Sequence, residues 1–275
     1  MSLLAGNGVG LAIALGLVQG ATEFLPVSSS GHLVVMSMLW DAPTPSLALM
    51  VLLHAATLLS TLLVFGRDIG SIVLCAARGL RSPSLLRDSD EGRFMLGLGA
   101  ATLATAVVGL TLEPWVQQWS SLRWLVGLCF LGSAVALVMT RRHHGLGDHL
   151  SLRAAVLVGA AQGLAALPGL SRSGVTMAVA MWLGLNPAAA FRYSFLLSVP
   201  VIAGASVLEL GKPENFSALG TDAFVGGATA LVVGYAALLA LRALVGRGQL
   251  WTFATYLVPL GTALLIADLV GHVTN

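Results

Sequence analysis

The chain is 275 residues long, 57% hydrophobic and only 9% charged, with a mean hydropathy of +0.89 and a formal net charge of +2. A soluble domain carries about 25% charged residues, so this composition leaves no polar coat for water and puts the chain in a bilayer. No basic tract interleaved with aromatics is present, which excludes a nucleic-acid partner, and no strand-like alternation is present, which excludes a transmembrane barrel.

In chain order, residues 8–25 form a helix-length apolar segment that ends at Pro26 and a serine-rich turn, residues 27–31. No basic stretch and no small-residue cleavage site precede it, so a cleaved signal peptide is not expected. The next apolar run, residues 33–40, is too short to cross a bilayer. Helix, polar break and short helix read as a re-entrant hairpin, which is tolerated at membrane depth only where protein or a wet cavity satisfies the backbone. Residues 41–46 form a two-proline loop and 47–65 a full span. Residues 66–93 are the most charged stretch, with a short interfacial helix expected over 69–77. Residues 94–112 span again. Glu113 and Pro114 are expected to end that span, and Trp115, Trp119 and Trp124 to mark a membrane–water interface. Residues 125–140 span. The second half repeats the plan: a segment at 152–167 broken by Pro168 and Gly169, a polar turn at 171–174, a short segment at 175–185, then spans at 193–210, 224–244 and 251–270. The expected fold is an all-α membrane protein, one domain, with six transmembrane helices and two re-entrant helix-break-helix hairpins.

The two hairpins align without a gap at an offset of 143. Gln19, Gly20, Ser28, Ser30 and Gly31 fall on Gln162, Gly163, Ser171, Ser173 and Gly174, and Ala12, Gly16 and Met38 fall on Ala155, Gly159 and Met181. Loops 66–93, 141–153 and 242–250 carry five, three and two arginines, whereas loops 113–123 and 211–221 carry one cation each. This alternation puts the arginine-rich loops in the cytoplasm and both termini outside. The hairpins then enter from opposite sides, making residues 8–140 and 151–270 inverted-topology repeats. Broken helices in corresponding positions of such halves point to a binding site near the midplane.

The chemistry sits in the hairpins. Gln19 and Glu23 are four apart and share a helix face. A carboxylate at membrane depth is costly and points to function; the plainer reading is that it hydrogen-bonds the serine turn. Ser28, Ser29 and Ser30 put hydroxyls and backbone N–H groups at a helix start, which favours an anion. His32 follows in the same turn and can act as an acid or base near neutral pH. In the second hairpin Arg172 lies between Ser171 and Ser173, with Thr176 one turn on. Its guanidinium suits phosphate; the other reading is a structural pair with Glu23. The offset sets Arg172 opposite Ser29, so both should reach one phosphate. The residues alone lead to phosphoryl chemistry on, or transport of, a lipid-linked phosphate. Cys75 and Cys129 read as packing residues, His143, His144 and His149 as solvated loop residues, and Gly16/Gly20 with Gly159/Gly163 as sites of close helix approach.

These motifs resemble the undecaprenyl-diphosphate phosphatase family of the bacitracin-resistance type. Its Glu/Gln-x-x-x-Glu motif running into a serine turn and histidine is matched by Gln19 to Glu23 followed by PVSSSGH, and its P-G-x-S-R-S-x-x-T motif by Pro168 to Thr176. YSFLLSVP at 193–200 and, more weakly, His54 with Thr57 extend the likeness over nearly the whole chain. The resemblance implies hydrolysis of a C55 polyprenyl diphosphate to the monophosphate, at the outer face of a bacterial inner membrane, with a divalent cation (Mg²⁺ or Ca²⁺), recycling the lipid carrier for cell-wall synthesis. By position, Ser29 is the candidate nucleophile with His32 as the competing assignment. Glu23, helped by Gln19, would hold the cation or orient water. Arg172 would bind the diphosphate, with Ser28, Ser30, His54, Gln162, Ser171, Ser173 and Thr176 on the substrate side. Gln19 and Met50 stand where many relatives carry acidic residues, which removes negative charge near the expected cation. The lipid diphosphate and the bilayer are the expected partners, and a homodimer is left open. The rival reading is a transporter or flippase of a polyprenyl phosphate; a protein that merely sequesters lipid diphosphate would not need both histidine and arginine.

Overall fold

The computed structural model describes residues 8–40, 46–142, 145–213 and 219–273; most of the two-proline loop, His143 and His144 lie outside the described residues. In order, the elements are α1 (Gly8–Phe24), α2 (Ser29–Trp40), α3 (Leu47–Val64), α4 (Gly66–Arg81), α5 (Ser84–Asp88), α6 (Asp90–Ser120), α7 (Arg123–Met139), α8 (Leu152–Leu164), α9 (Arg172–Trp182), α10 (Pro187–Leu210) and α11 (Thr221–Gly246), then a 3₁₀ turn (Leu250–Phe253) leading into α12 (Ala254–Val273). The one pairing outside helices among the described residues is an isolated bridge between Gly147 and Leu185.

Among the described residues five helices are long and apolar enough to cross a membrane: Leu47–Val64, Asp90–Val116, Pro187–Leu210, Thr221–Gly246 and Leu250–Val270. The further span expected over 125–140 is α7, at 17 residues, the short end of the ~17–25 a crossing needs. Two expectations are corrected. The helix does not stop at Glu113 and Pro114; α6 runs through Pro114 to Ser120. Proline disrupts the turn before it, but the residues after it resume helical geometry, a pattern membrane helices accommodate, and Trp115 and Trp119 stack on that extension at 6.2 Å. The short helix expected over 69–77 is the full α4, 16 residues. Its apolar part is lengthened by Asp68 in the first turn and Arg78 and Arg81 in the last, charges that complement the helix dipole.

Lipid is as apolar as leucine, so helices in a membrane associate through close packing of small residues. Here α1 lies along α11, α8 along α6 and α7 along α12, while α3 is wedged between α10 and α11. A Cβ on Gly16 would stand 2.3 Å from the Gly226 carbonyl, and one on Gly159 would stand 2.1 Å from that of Ala101. Gly127 and Gly261 face each other, each with its Cβ position within 3 Å of the other's carbonyl oxygen. Thr105 Oγ1 donates to the Gly159 carbonyl at 2.9 Å. Both glycine pairs expected to let helices approach therefore do so.

Two consequences position the site. The tips of the two helix breaks touch: Gly31 leaves no room for a Cβ against Gly169 (2.8 Å), nor Gly174 against Pro26 (3.0 Å). Beneath α1, Phe24, Phe65, Phe191 and Phe195 form a buried cluster with ring centroids 4.8–6.1 Å apart.

The backbone contact at Gly159 yields a stability test. Gly159→Ala should destabilise the protein by about 1–3 kcal/mol, because the new methyl meets backbone. Gly99→Ala, at a position with nothing within 4 Å, should be neutral or slightly stabilising. Thermal unfolding in detergent measures both; equal midpoints would show that the α6–α8 approach is not tight.

Candidate active site

The site is built where α1 ends and α2 and α9 begin. Ser28 breaks the first helix by taking φ +69°, the left-handed region, at a cost of roughly 1–2 kcal/mol for a residue with a Cβ. Its Oγ accepts from the Gly31 N–H at 3.3 Å, and α2 starts at once with Ser29. In the second hairpin Gly169 supplies the left-handed residue at φ +92°. Ser171 caps α9 by accepting from the Gly174 N–H at 3.2 Å, and Ser133 of α7 accepts from the Ser171 N–H at 2.8 Å.

Glu23 is the centre. It is 5% exposed, and four side chains from three segments converge on it. Ser29 Oγ donates to Glu23 Oε2 at 2.7 Å, and Gln19 Nε2 donates to the same oxygen at 2.9 Å. His54 Nε2 lies 3.3 Å from it. Arg172 of the other hairpin pairs with Oε1. His54 Nδ1 faces the Met50 carbonyl at 2.8 Å, so both of its ring nitrogens look onto acceptors. Arg172 thus forms the pair with Glu23 and still has guanidinium donors for an anion.

These groups open onto a cavity of about 290 Å³. Glu23, Ser28, Ser29, Ser30, His54, Ser171 and Arg172, with Thr22 and Ser206, supply its polar lining, and Val51, Leu170, Val201 and Ile202 part of its apolar wall. Other residues singled out in the sequence lie behind this surface. Gln19 supports Glu23 from the buried side, and its Oε1 has no hydrogen-bond partner among the described residues. Gln162 is not brought to the cavity: its Nε2 donates to Thr105 Oγ1 at 3.4 Å and towards the Leu197 carbonyl at 3.5 Å. Ser173 Oγ donates across the hairpins to the Leu25 carbonyl at 3.4 Å, and Thr176 Oγ1 donates to the Arg172 carbonyl at 2.6 Å. His32 turns away, with Nδ1 on the Ser28 carbonyl and Nε2 on the Tyr256 hydroxyl, both at 2.7 Å. Sequence reasoning missed Ser133, Ser206 on the cavity wall, and Tyr256; an isolated serine inside an apolar span was the available signal for the first two.

A larger cavity, about 770 Å³, lies at the other ends of α3 and α10. Asp68, Asp90, Glu91, Asp148, Arg192 and Arg242 rim it, and none of the serine-turn residues does. Phe65 and Phe191 line it, and Phe195 packs on both of them and on Phe24.

As a metal centre the site is sparse. Among the described residues no group of three or more His, Cys, Asp or Glu side chains could hold an ion. The hard oxygen donor that reaches the cavity is the Glu23 carboxylate; Gln19 lies fully buried behind it, so a hard cation there would draw most of its ligands from phosphate oxygens.

The sequence model of the family described as "Bacitracin resistance protein BacA" matches residues 12–263. The chain is 39% identical over 259 residues to an undecaprenyl-diphosphatase of Desulfosudis oleivorans, covering 90% of this chain and 94% of the relative. It is 36% identical to the protein of that name from Treponema denticola (93% and 96%) and 36% identical to that from Korarchaeum cryptofilum (92% and 97%).

The pair across the hairpins has a measurable stability signature. Arg172→Ala leaves Glu23 buried without its cation and should destabilise by about 3–5 kcal/mol. Adding Glu23→Gln, which removes the stranded charge, should recover part of the loss. Denaturation in detergent reads this out; a double variant no more stable than the single would mean that the Arg172–Glu23 pair does not hold the hairpins together.

Proposed function

The chain belongs to the BacA bacitracin resistance protein family, and from that premise we propose that it hydrolyses undecaprenyl diphosphate to the monophosphate and inorganic phosphate, recycling the lipid carrier for cell-wall synthesis. The observation that carries the reading is the convergence of Ser29 and Arg172 on the two oxygens of one buried carboxylate, at the edge of a cavity. At about 290 Å³ that cavity is at the small end of ligand pockets, ~300–1,000 Å³. It suits a diphosphate headgroup, with the polyprenyl tail remaining in lipid against the apolar wall.

The chemistry follows from the contacts. The terminal phosphate binds to the free donors of Arg172 and to the N–H groups at the starts of α2 and α9, which favour an anion. Ser29 Oγ attacks the terminal phosphorus while Glu23 Oε2, already its hydrogen-bond acceptor, takes the proton. The bond from that phosphorus to the bridging oxygen breaks, and undecaprenyl monophosphate leaves. Water then attacks the phosphoserine, Glu23 returns a proton to Ser29, and phosphate is released. His32 does not compete for the nucleophile's role, because both its ring nitrogens are engaged behind the cavity. A magnesium or calcium ion, held by Glu23 and the diphosphate with Gln19 supporting Glu23 from behind, would supply further neutralisation of the phosphate charge.

The same reading includes topology. The halves at 8–140 and 151–270 are inverted repeats with six spans and two re-entrant hairpins. The exchanged packing of α1 on α11 and α8 on α6, and the mutual Gly127–Gly261 contact, support this. The arginine-rich loops face the cytoplasm. The Glu23 cavity, walled by the early part of α3 and the late part of α10, opens towards the outer side of a bacterial inner membrane, and both termini lie there. Transport of a polyprenyl phosphate is the less favoured reading, since the relatives are named for hydrolysis.

Purified protein given a short-chain prenyl diphosphate and Mg²⁺ or Ca²⁺ should release phosphate. Ser29→Ala, Glu23→Gln and Arg172→Ala should each lower kcat by at least about 100-fold. A folded wild-type protein that binds the lipid and releases nothing would sink the proposal. For the topology, a reporter active only outside the cytoplasm should work when fused after Lys212 and be silent when fused after Arg142; the reverse pattern would invert the assignment.

A further inference from the structure

The two serine turns share their hydrogen bonds position by position. Ser28 Oγ accepts from Gly31 N at 3.3 Å and Ser171 Oγ from Gly174 N at 3.2 Å. Ser28 and Ser30 hydroxyls are 3.4 Å apart, as are those of Ser171 and Ser173. The first backbone bonds of the following helices match as well, His32 N to the Ser28 carbonyl at 3.2 Å and Val175 N to the Ser171 carbonyl at 2.8 Å. One feature breaks the match. Ser171 sits at φ −74°, open to any residue, whereas Ser28 sits at φ +69°, where a side chain is strained. The strained turn is also the one followed by a histidine; its counterpart carries Val175.

His32 is anchored at both ends. Nδ1 lies 2.7 Å from the Ser28 carbonyl oxygen, and Nε2 lies 2.7 Å from the Tyr256 hydroxyl. A carbonyl can only accept, so Nδ1 carries the proton, and in the neutral ring Nε2 accepts from the phenol. Tyr256 stacks on the imidazole at 5.6 Å with the rings 15° apart, while Phe130 meets it edge-on at 5.5 Å. The Ser28 carbonyl therefore receives two donors, the His32 backbone and the His32 ring. That fixes the peptide plane between Ser28 and Ser29, which sets where Ser29 Oγ points.

We propose that Tyr256 is a positioning residue: acting through His32, it holds the left-handed turn at Ser28 that aims Ser29 at Glu23. The proposal rests on the diphosphatase reading of the same site. Neither Tyr256 nor His32 lines the cavity, so both act through the turn and not on the substrate.

Tyr256→Phe keeps the stacked ring and removes only the hydroxyl. In the phosphate-release assay, kcat should fall about tenfold and KM should stay within about twofold, because Arg172 and the cavity are unchanged. A side chain that merely packs would shift the unfolding midpoint and leave kcat per folded molecule as it was. The second arm uses His32→Asn, whose amide can still donate to the Ser28 carbonyl but cannot reach Tyr256. Adding Tyr256→Phe to it should change kcat by less than about twofold, since coupled residues are not additive. A Tyr256→Phe enzyme with wild-type kcat, or two losses that multiply, overturns the proposal. If Ser29→Ala and Glu23→Gln lose activity while Tyr256→Phe does not, only the positioning role falls. If those two also keep wild-type activity, the reading of the site as a diphosphatase falls with it.

Discussion

The carboxylate of Glu23 is the constraint on which the structure turns. An ionised group buried at membrane depth costs several kcal/mol unless it is paired and its oxygens are hydrogen-bonded. The first hairpin supplies Gln19 and Ser29, and α3 supplies His54. The guanidinium comes from Arg172, 149 residues away in the chain. Pairing therefore requires the tips of both hairpins to meet, which explains why Gly31 and Gly174 must lack side chains.

The rest of the bundle makes that meeting possible. Each hairpin's first helix is held by a long helix from the other half, through contacts in which backbone touches backbone. Packing of that kind has little slack, because no side chain can rearrange to absorb a shift. Below Glu23 the four phenylalanines pack ring against ring and give the site an apolar floor. Burial of Glu23 strengthens its attraction to Arg172, since charges interact more strongly away from water. One side chain can thus serve as structural partner and anion clamp, two readings that are alternatives only while the chain is considered as a string.

Much of this is legible in the chain alone. The offset of 143 that aligns the serine turns also relates their hydrogen bonds and the reciprocal contacts of Gly31 with Gly169 and Gly174 with Pro26. Helix existence followed from apolar run length. Helix ends did not: Pro114 reads as a stop, yet α6 continues to Ser120, because proline constrains the turn before it and says little about the residues after it. The symmetric position of Gln162 suggested a role like that of Gln19. The partner decides that role, and at 166 the second hairpin has alanine where the first has Glu23.

Sequence by itself determined the solvent, the helical class, the two broken hairpins and the residue types available for phosphate chemistry, since these depend on composition and on spacing along one helix face. Only the tertiary structure decided which side chains share a surface. It put Ser29, His54 and Arg172 around Glu23, took Gln162 and His32 out of the cavity, and brought Tyr256 to His32 across 224 residues. Helix rotation and crossing are set by contacts between distant segments, and such contacts leave no periodicity in the chain from which they could be read.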